Sequence, residues 1–316
     1  MIAEYRHNPV MLTECRQALA LKPGETCCDC TLGGAGHSLE FACDLQSAGT
    51  LIGIDRDAAA LKVATQRINE RFSGLHFIAL HGNFADMDEL LLLARVPGID
   101  GFLFDLGVSS PQLDFPERGF SYAQSAPLDM RMDPGQQTLT AAEIINTTNE
   151  AGLTWILQTY GEERWAARIA AFIVKARAQK PLTTTDELTE LIKAAIPASA
   201  RRTGGNPAKR TFQALRIAVN GETDALQKGL EAALRWLNPG GRIAVISYHS
   251  LEDRIVKEAF AQAAIGCVCP PEAPMCVCGQ EPVLSKIARK PLVPTSAEVE
   301  ANPRSRSAKL RWAVKR

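Results

Sequence analysis

Four short apolar runs in the first third of the chain, at 26–30, 50–54, 75–80 and 101–106, alternate with amphipathic stretches such as 58–72. This rhythm constrains the fold more than any other feature. Strands separated by helices cannot pair as tight hairpins, so they align in parallel with helices covering the sheet, and the predicted class is α/β. From Leu113 to Lys209 the alternation gives way to helical patterns at 141–145, 150–159, 162–178 and 185–195. The last has N-cap candidates in Thr184-Thr185-Asp186-Glu187 and a stop at Pro197 and Gly204-Gly205. The α/β pattern then resumes with a helix over 210–237, a Pro239-Gly240-Gly241 turn, a strand over 242–247, a helix from about Leu251 and a last strand over 309–314. The helical stretch is therefore an insertion. Residues 1–112 and 210–316 are expected to form one discontinuous domain and residues 113–209 an all-helical one, and 316 residues suffice for two cores.

The chemistry is expected where the strands end. The first runs into Asp29-Cys-Thr-Leu-Gly-Gly-Ala35-Gly36-His37, and the second ends at Asp55. Glycines between a strand and a helix expose backbone amides at the positive helix end, and an acid after the next strand can accept hydrogen bonds from two ribose hydroxyls. The ligand is therefore expected to contain a nucleoside. A dinucleotide fingerprint would read G-x-G-x-x-G, whereas here the order is G-G-x-G with an acid four positions earlier. Asp29 would repel a pyrophosphate but could help hold an ammonium, which favours S-adenosyl-L-methionine over a dinucleotide. His37 reads equally as a ligand contact or a surface or capping histidine. Phe84, after the third strand, could sandwich adenine or belong to the core.

The fourth strand delivers Asp105-Leu-Gly-Val-Ser109-Ser110-Pro-Gln112, an acid and two hydroxyls at the edge where the cofactor would lie. Asp105, Ser109 and Ser110 are the candidate catalytic residues, with Pro111 expected to keep Ser110 extended. His249, after the fifth strand, could face the same cleft, although Ser250-Leu-Glu-Asp253 offers a capping box. No cysteine lies between Cys43 and Cys267, so a cysteine nucleophile at this strand end is not expected.

Formal net charge is zero, so whole-molecule attraction to nucleic acid is not expected and any basic face is local. Arg201, Arg202, Lys209, Arg210 and Arg216 form one basic segment; Arg304, Arg306, Lys309, Arg311, Lys315 and Arg316 form another. Charges and a proline in the first nine residues, and the lack of any apolar run of membrane-spanning length, predict a soluble cytoplasmic protein with no membrane partner. Cys15, Cys27, Cys28, Cys30 and Cys43 read as small buried hydrophobes. Cys267-Val-Cys269 and Cys276-Val-Cys278 could hold structural zinc or be disordered or redox-active thiols; methyl transfer itself needs no metal.

Five phrases carry a resemblance over nearly the whole chain: Asp29-Cys-Thr-Leu-Gly-Gly-Ala-Gly-His37-Ser38, Asp105-Leu-Gly-Val-Ser-Ser-Pro-Gln-Leu-Asp114, Pro127-Leu-Asp-Met-Arg-Met-Asp133, Tyr160-Gly-Glu-Glu-Arg164 and Ser247-Tyr-His-Ser-Leu-Glu-Asp-Arg254. Together they resemble the bacterial 16S ribosomal RNA cytosine-N4 methyltransferase family. The resemblance implies a Rossmann-like methyltransferase sheet with a helical insertion and a target cytidine in the decoding region of the small ribosomal subunit. It also implies donor contacts from Ala35, Gly36, His37, Asp55, Phe84, Asp105 and Gln112, that of Ala35 through its backbone. No obligatory protein partner is evident.

Overall fold

The computed structural model describes residues 9–201, 205–269, 275 and 278–316. The chain divides into two compact units, one of 1–107 with 223–316 and the other of 108–222.

In the first unit the elements run α1 (Leu12–Leu19), β1 (Thr26–Asp29), α2 (Gly36–Leu45), β2 (Thr50–Asp55), α3 (Ala58–Arg71), β3 (His76–His81), α4 (Met87–Leu93) and β4 (Ile99–Asp105). The chain then enters the second unit, with α5 (Ser110–Asp114), α6 (Ala141–Thr147), α7 (Glu150–Gly161), α8 (Ala166–Arg177), α9 (Thr185–Ala195), α10 (Ala198–Arg201) and α11 (Lys209–Asn220). It returns through α12 (Glu222–Trp236), β5 (Leu237–Ser247), α13 (Ser250–Ala263), β6 (Leu284–Ile287), α14 (Ser296–Ala301) and β7 (Lys309–Lys315).

The seven strands are ordered β3-β2-β1-β4-β5-β7-β6. β1 to β5 are mutually parallel, whereas β7 runs antiparallel to both β5 and β6. This is the expected Rossmann-like arrangement. One face is covered by α4, α12 and α13 through Met87, Leu91, Leu230, Val256 and Phe260. The other is covered by α1, α2 and α3 through Met11, Cys15, Phe41, Leu45 and Ile68. Strand order reverses between β1 and β4, so their carboxyl ends diverge around a crevice, the usual ligand position in an open parallel sheet. Every site residue of this unit except Phe84 sits at or beside that crevice or on β2 next to it.

The second unit has its own core, in which Leu153, Leu157, Ile169, Ile173, Leu188, Ile192, Phe212 and Leu215 of α7, α8, α9 and α11 are buried together. Thr184 and Glu187 close a reciprocal capping box at the start of α9. The Pro127–Asp133 phrase is pinned from several sides. Leu128 N–H donates to the Thr183 carbonyl (3.0 Å), and the Asn220 side chain accepts from Met132 N–H (2.9 Å) while donating to the Met130 carbonyl (2.8 Å). These bonds hold buried Met130 in left-handed backbone (φ 63).

Two expectations are corrected. The helix over 210–237 is two helices: Gly221 (φ 60) stops α11, and the division between units falls at Glu222, so α11 belongs with the helices of the second unit. Ser110 is not extended, because Pro111 falls in the first turn of α5, where the helix requires no backbone donor. Among the described residues no helix is long and apolar enough to cross a membrane.

Candidate donor-binding and transfer site

Three carboxylates end the first, second and fourth strands, and the structure gives each a different task. Asp29 is 1% exposed; its Oδ2 accepts from the Ser38 hydroxyl (2.7 Å) and its Oδ1 from Thr31 N–H (3.1 Å). Burial raises its pKa, opposed by the Ser38 hydrogen bond, the nearby His37 and Thr31. Closed off from solvent and bonded through both oxygens, Asp29 braces the turn that joins β1 to α2.

Asp55 fixes the same turn from the next strand. Its Oδ2 accepts from Gly33 N–H (2.7 Å) and its Oδ1 from Asp57 N–H (2.8 Å). Burial pushes its pKa up to about 6 despite these bonds. Each carboxylate oxygen has a second lone pair, so the group can accept two further hydrogen bonds from a vicinal diol. Gly33 (φ 50) and Ala35 (φ 62) are both left-handed, so the turn places an alanine where glycine is the unstrained choice. Gly36 has a different reason for being glycine: an added Cβ would stand 2.8 Å from Cγ of Pro9, which crosses the start of α2. The close approach there is made by the protein's own chain. The first turn of α2 still carries amides that no carbonyl of that helix can reach, which suits an anionic group.

Asp105 is held by side chains. Its backbone N–H donates to the Thr31 hydroxyl (2.7 Å), tying the end of β4 to the turn after β1 across the crevice. The Tyr248 hydroxyl donates to Oδ1 (2.7 Å), and His37 Nδ1 stands 3.8 Å from Oδ2. The Asp105 side chain remains 27% exposed, so its carboxylate is open on one side. Desolvation raises its pKa, while His37 and the Tyr248 hydrogen bond pull it back; the same pairing and burial push the Tyr248 phenol well above its ordinary value. His37 is 5% exposed, and its Nε2 is 2.9 Å from the Val10 carbonyl. A carbonyl can only accept, so Nε2 carries the proton and Nδ1 faces Asp105. His37 is thereby a buried support, not a surface residue.

Phe84 follows β3, whose last residue pairs with Asp55 of β2. Its ring meets Phe104 edge to face, with centroids 5.5 Å apart, and an added Cβ on Gly229 of α12 would stand 2.6 Å from it. The ring is thus wedged into the core and remains half-buried. Ser109, Ser110 and Gln112 belong to the second unit, where the buried Gln112 carboxamide accepts from Ser109 N–H (2.9 Å).

His249 is the N-cap of α13 itself. Its Nδ1 accepts from Glu252 N–H (3.3 Å), and the Glu252 carboxylate reaches back to His249 N–H (3.2 Å), so the capping box starts one residue earlier than Ser250. Asp253, freed from capping, pairs with Lys309 (3.1 Å) and Arg311 (2.6 Å). Lys315 donates to the Leu234 carbonyl at the end of α12 (2.8 Å), and Arg316 pairs with Glu281 (3.2 Å). Much of the C-terminal basic segment is consumed by the fold. In the other segment Arg216 forms a two-pronged pair with Glu222 (2.7 and 2.8 Å), whereas Arg201, Lys209 and Arg210 are exposed; Arg202 lies outside the described residues. Thr31, Ser38 and Tyr248 are the site residues that sequence reasoning missed.

A sequence profile of the MraW methylase family matches residues 4–316. The chain is 53% identical over 311 residues to the ribosomal RNA small subunit methyltransferase H of Symbiobacterium thermophilum, covering 98% of this chain and 97% of that protein. It is also 53% identical over 312 residues to the protein of the same name from Geobacter sp. strain M21, covering 99% of each.

Proposed function

The chain belongs to the MraW methylase family, and from that premise we propose that it transfers a methyl group from S-adenosyl-L-methionine to the exocyclic N4 of a cytidine in the decoding region of 16S ribosomal RNA. The observation that carries this reading is the Asp105 carboxylate, held by Thr31 and Tyr248 and open on one side at the point where strand order reverses. The residues present fit the donor. Asp55 has lone pairs left for the ribose hydroxyls, Gly36 and His37 in the first turn of α2 offer amides for the amino-acid carboxylate while Ala35 N–H is taken by the Leu32 carbonyl (2.8 Å), and Phe84 presents part of a fixed ring beside the end of β2. When bound, the donor supplies a methyl group on a sulfonium, an electrophile that needs no metal.

The N4 lone pair is delocalised into the cytosine ring, so the amine must become more tetrahedral as it attacks the methyl carbon. Transfer would exchange the donor's C–S bond for an N–C bond, release a neutral thioether and leave on N4 a proton for this chain to take. Asp105, whose acidity is weakened by burial, accepts hydrogen bonds from the N4 hydrogens during attack and takes that proton. The Leu106 carbonyl is a further candidate acceptor in the first unit; Ser109, Ser110 and Gln112 belong to the second, and the Ser110 side chain lies outside what the structure describes. A cysteine route to carbon 5 is disfavoured: Cys15, which lies in the electrostatic field of Asp105, is fully buried and its thiol is held protonated, by burial first and by Asp105 second. The helical unit is assigned the RNA. It carries exposed Arg201, Lys209 and Arg210, together with exposed Trp155, whose ring meets Tyr160 edge to face at 5.2 Å.

The test is methylation of small-subunit particles and of free 16S RNA by Asp105→Asn protein, with the modified nucleoside identified by mass spectrometry. N4-methylcytidine from the wild type, and its loss in the variant with donor affinity retained, is the expected result. Unchanged transfer by the variant, or methylation at carbon 5, overturns the assignment.

A further inference from the structure

The segment between α13 and β6 has no regular structure among its described residues, and it is closed at its base. Val283 N–H donates to the Ala263 carbonyl (2.8 Å), and the Gln280 carboxamide reaches the Ile265 carbonyl (3.4 Å). Among the described residues above this clamp no apolar packing holds the segment together: Val268 is 57% exposed and Met275 71%. Loops of this length without elements of their own need another source of order. The sulfurs of Cys267, Cys269 and Cys278 nevertheless converge, all within 4.8 Å of one another, with those of Cys267 and Cys278 3.8 Å apart.

The pairwise spacing and the convergence of three sulfurs together narrow the choice. A disulfide requires sulfurs about 2.05 Å apart. Thiolates at the corners of a tetrahedron, each about 2.3 Å from a central zinc, are about 3.8 Å apart. Three sulfurs drawn from positions eleven residues apart in sequence, gathered where no core gathers them, match the second geometry. We propose that Cys267, Cys269 and Cys278 form a structural site for a divalent zinc-type cation, which staples the loop leading into the edge strand β6. The soft all-sulfur set selects zinc over magnesium or calcium. On binding, three thiols lose their protons to solvent and three metal–sulfur bonds form, giving a centre whose fourth position is filled by a further donor. Cys276 lies outside the described residues. The site takes no part in methyl transfer, since the sheet places β6 at the edge beyond β5 and β7 while the acids end β1, β2 and β4.

The experiment is metal analysis of the full chain, expressed with zinc in the medium and desalted without chelator. One zinc per chain is expected, released in step with modification of the thiols by a mercurial. Cys267→Ser, Cys269→Ser and Cys278→Ser should each lose it, whereas Cys43→Ser, an exposed cysteine outside the cluster, should keep it. Cobalt added to metal-free wild type should give the intense d–d bands of a tetrahedral thiolate centre, a readout independent of how well the variants fold. Trace zinc in wild type with freely titrating thiols, a Cys267–Cys278 disulfide in the unreduced protein, absence of the cobalt bands, or equal metal loss from Cys43→Ser would each overturn the proposal.

Discussion

The carboxyl ends of β2 and β4 each present a half-buried aspartate near the crevice, yet they are built differently. Asp55 is held by two backbone amides, Gly33 and Asp57, whereas Asp105 is held by side chains, with Tyr248 donating and His37 nearby. Backbone donors fix a position whatever the side chains around it. Both kinds lower proton affinity, but a side-chain donor can be removed singly. A residue that orients a ligand needs the first kind of support; one that receives a proton needs the second.

The largest effect that could break this contrast is on transfer itself. Asp105→Asn is expected to lower kcat about 10³-fold, the usual scale for a lost general base, while donor affinity changes by less than about threefold. Single-turnover methylation at saturating donor, paired with calorimetric titration, measures both. Asp55→Asn should do the reverse: donor affinity falls about 10²-fold as two charge-assisted hydrogen bonds are weakened, and kcat at saturating donor is nearly unchanged. Equal losses in both quantities for both variants would erase the distinction.

Acid titration sharpens it further. Because Asp55 titrates near 6 and the ribose hydroxyls favour its ionised form, donor affinity should fall about tenfold per unit as pH drops below 6, and Asp55→Asn should flatten that slope. Without donor the sign is opposite. The folded state keeps a proton on Asp55 that an unfolded chain releases above 3.8, so the stability contributed by this group declines as pH rises from 3.8 to about 6 and is level above it. Urea denaturation of wild type and Asp55→Asn across that range resolves the difference. The smallest effect belongs to Tyr248→Phe: about a tenfold lower rate near neutrality, with the acidic limb of the pH–rate profile displaced upward, because the lost hydrogen bond had been lowering the Asp105 pKa.

The sequence exposes what is local and conceals what depends on neighbours in space. Asp55 and Asp105 are legible because an acid after an apolar run marks a strand end, and α9 is found at its full extent, 185–195, because its capping box is contiguous. Thr31 and Tyr248 are not legible. Each reaches Asp105 only through strand pairing, from 74 and 143 positions away in sequence. The C-terminal cations look like a nucleic-acid surface until Asp253, on a different element, is seen to take Lys309 and Arg311. Gly36 looks like a glycine kept small for a ligand until Pro9 is seen to occupy the space beside it. Strand β6 escapes notice because four residues at a sheet edge, half of them polar, carry too little pattern.

The discontinuity of the first unit also sets an order of events during synthesis. β4 is made long before β5, its partner in the sheet, and the whole helical unit and α12 are translated between them, ~10 s at typical elongation rates. Through that interval the edge of β4 has no neighbour, while the helical unit, contiguous in sequence, can complete its own core. β6 waits far less, because its partner β7 follows it closely in sequence. The donor crevice can therefore mature only after the helical unit has emerged, so a newborn chain acquires its helical, RNA-assigned unit before it acquires a competent catalyst.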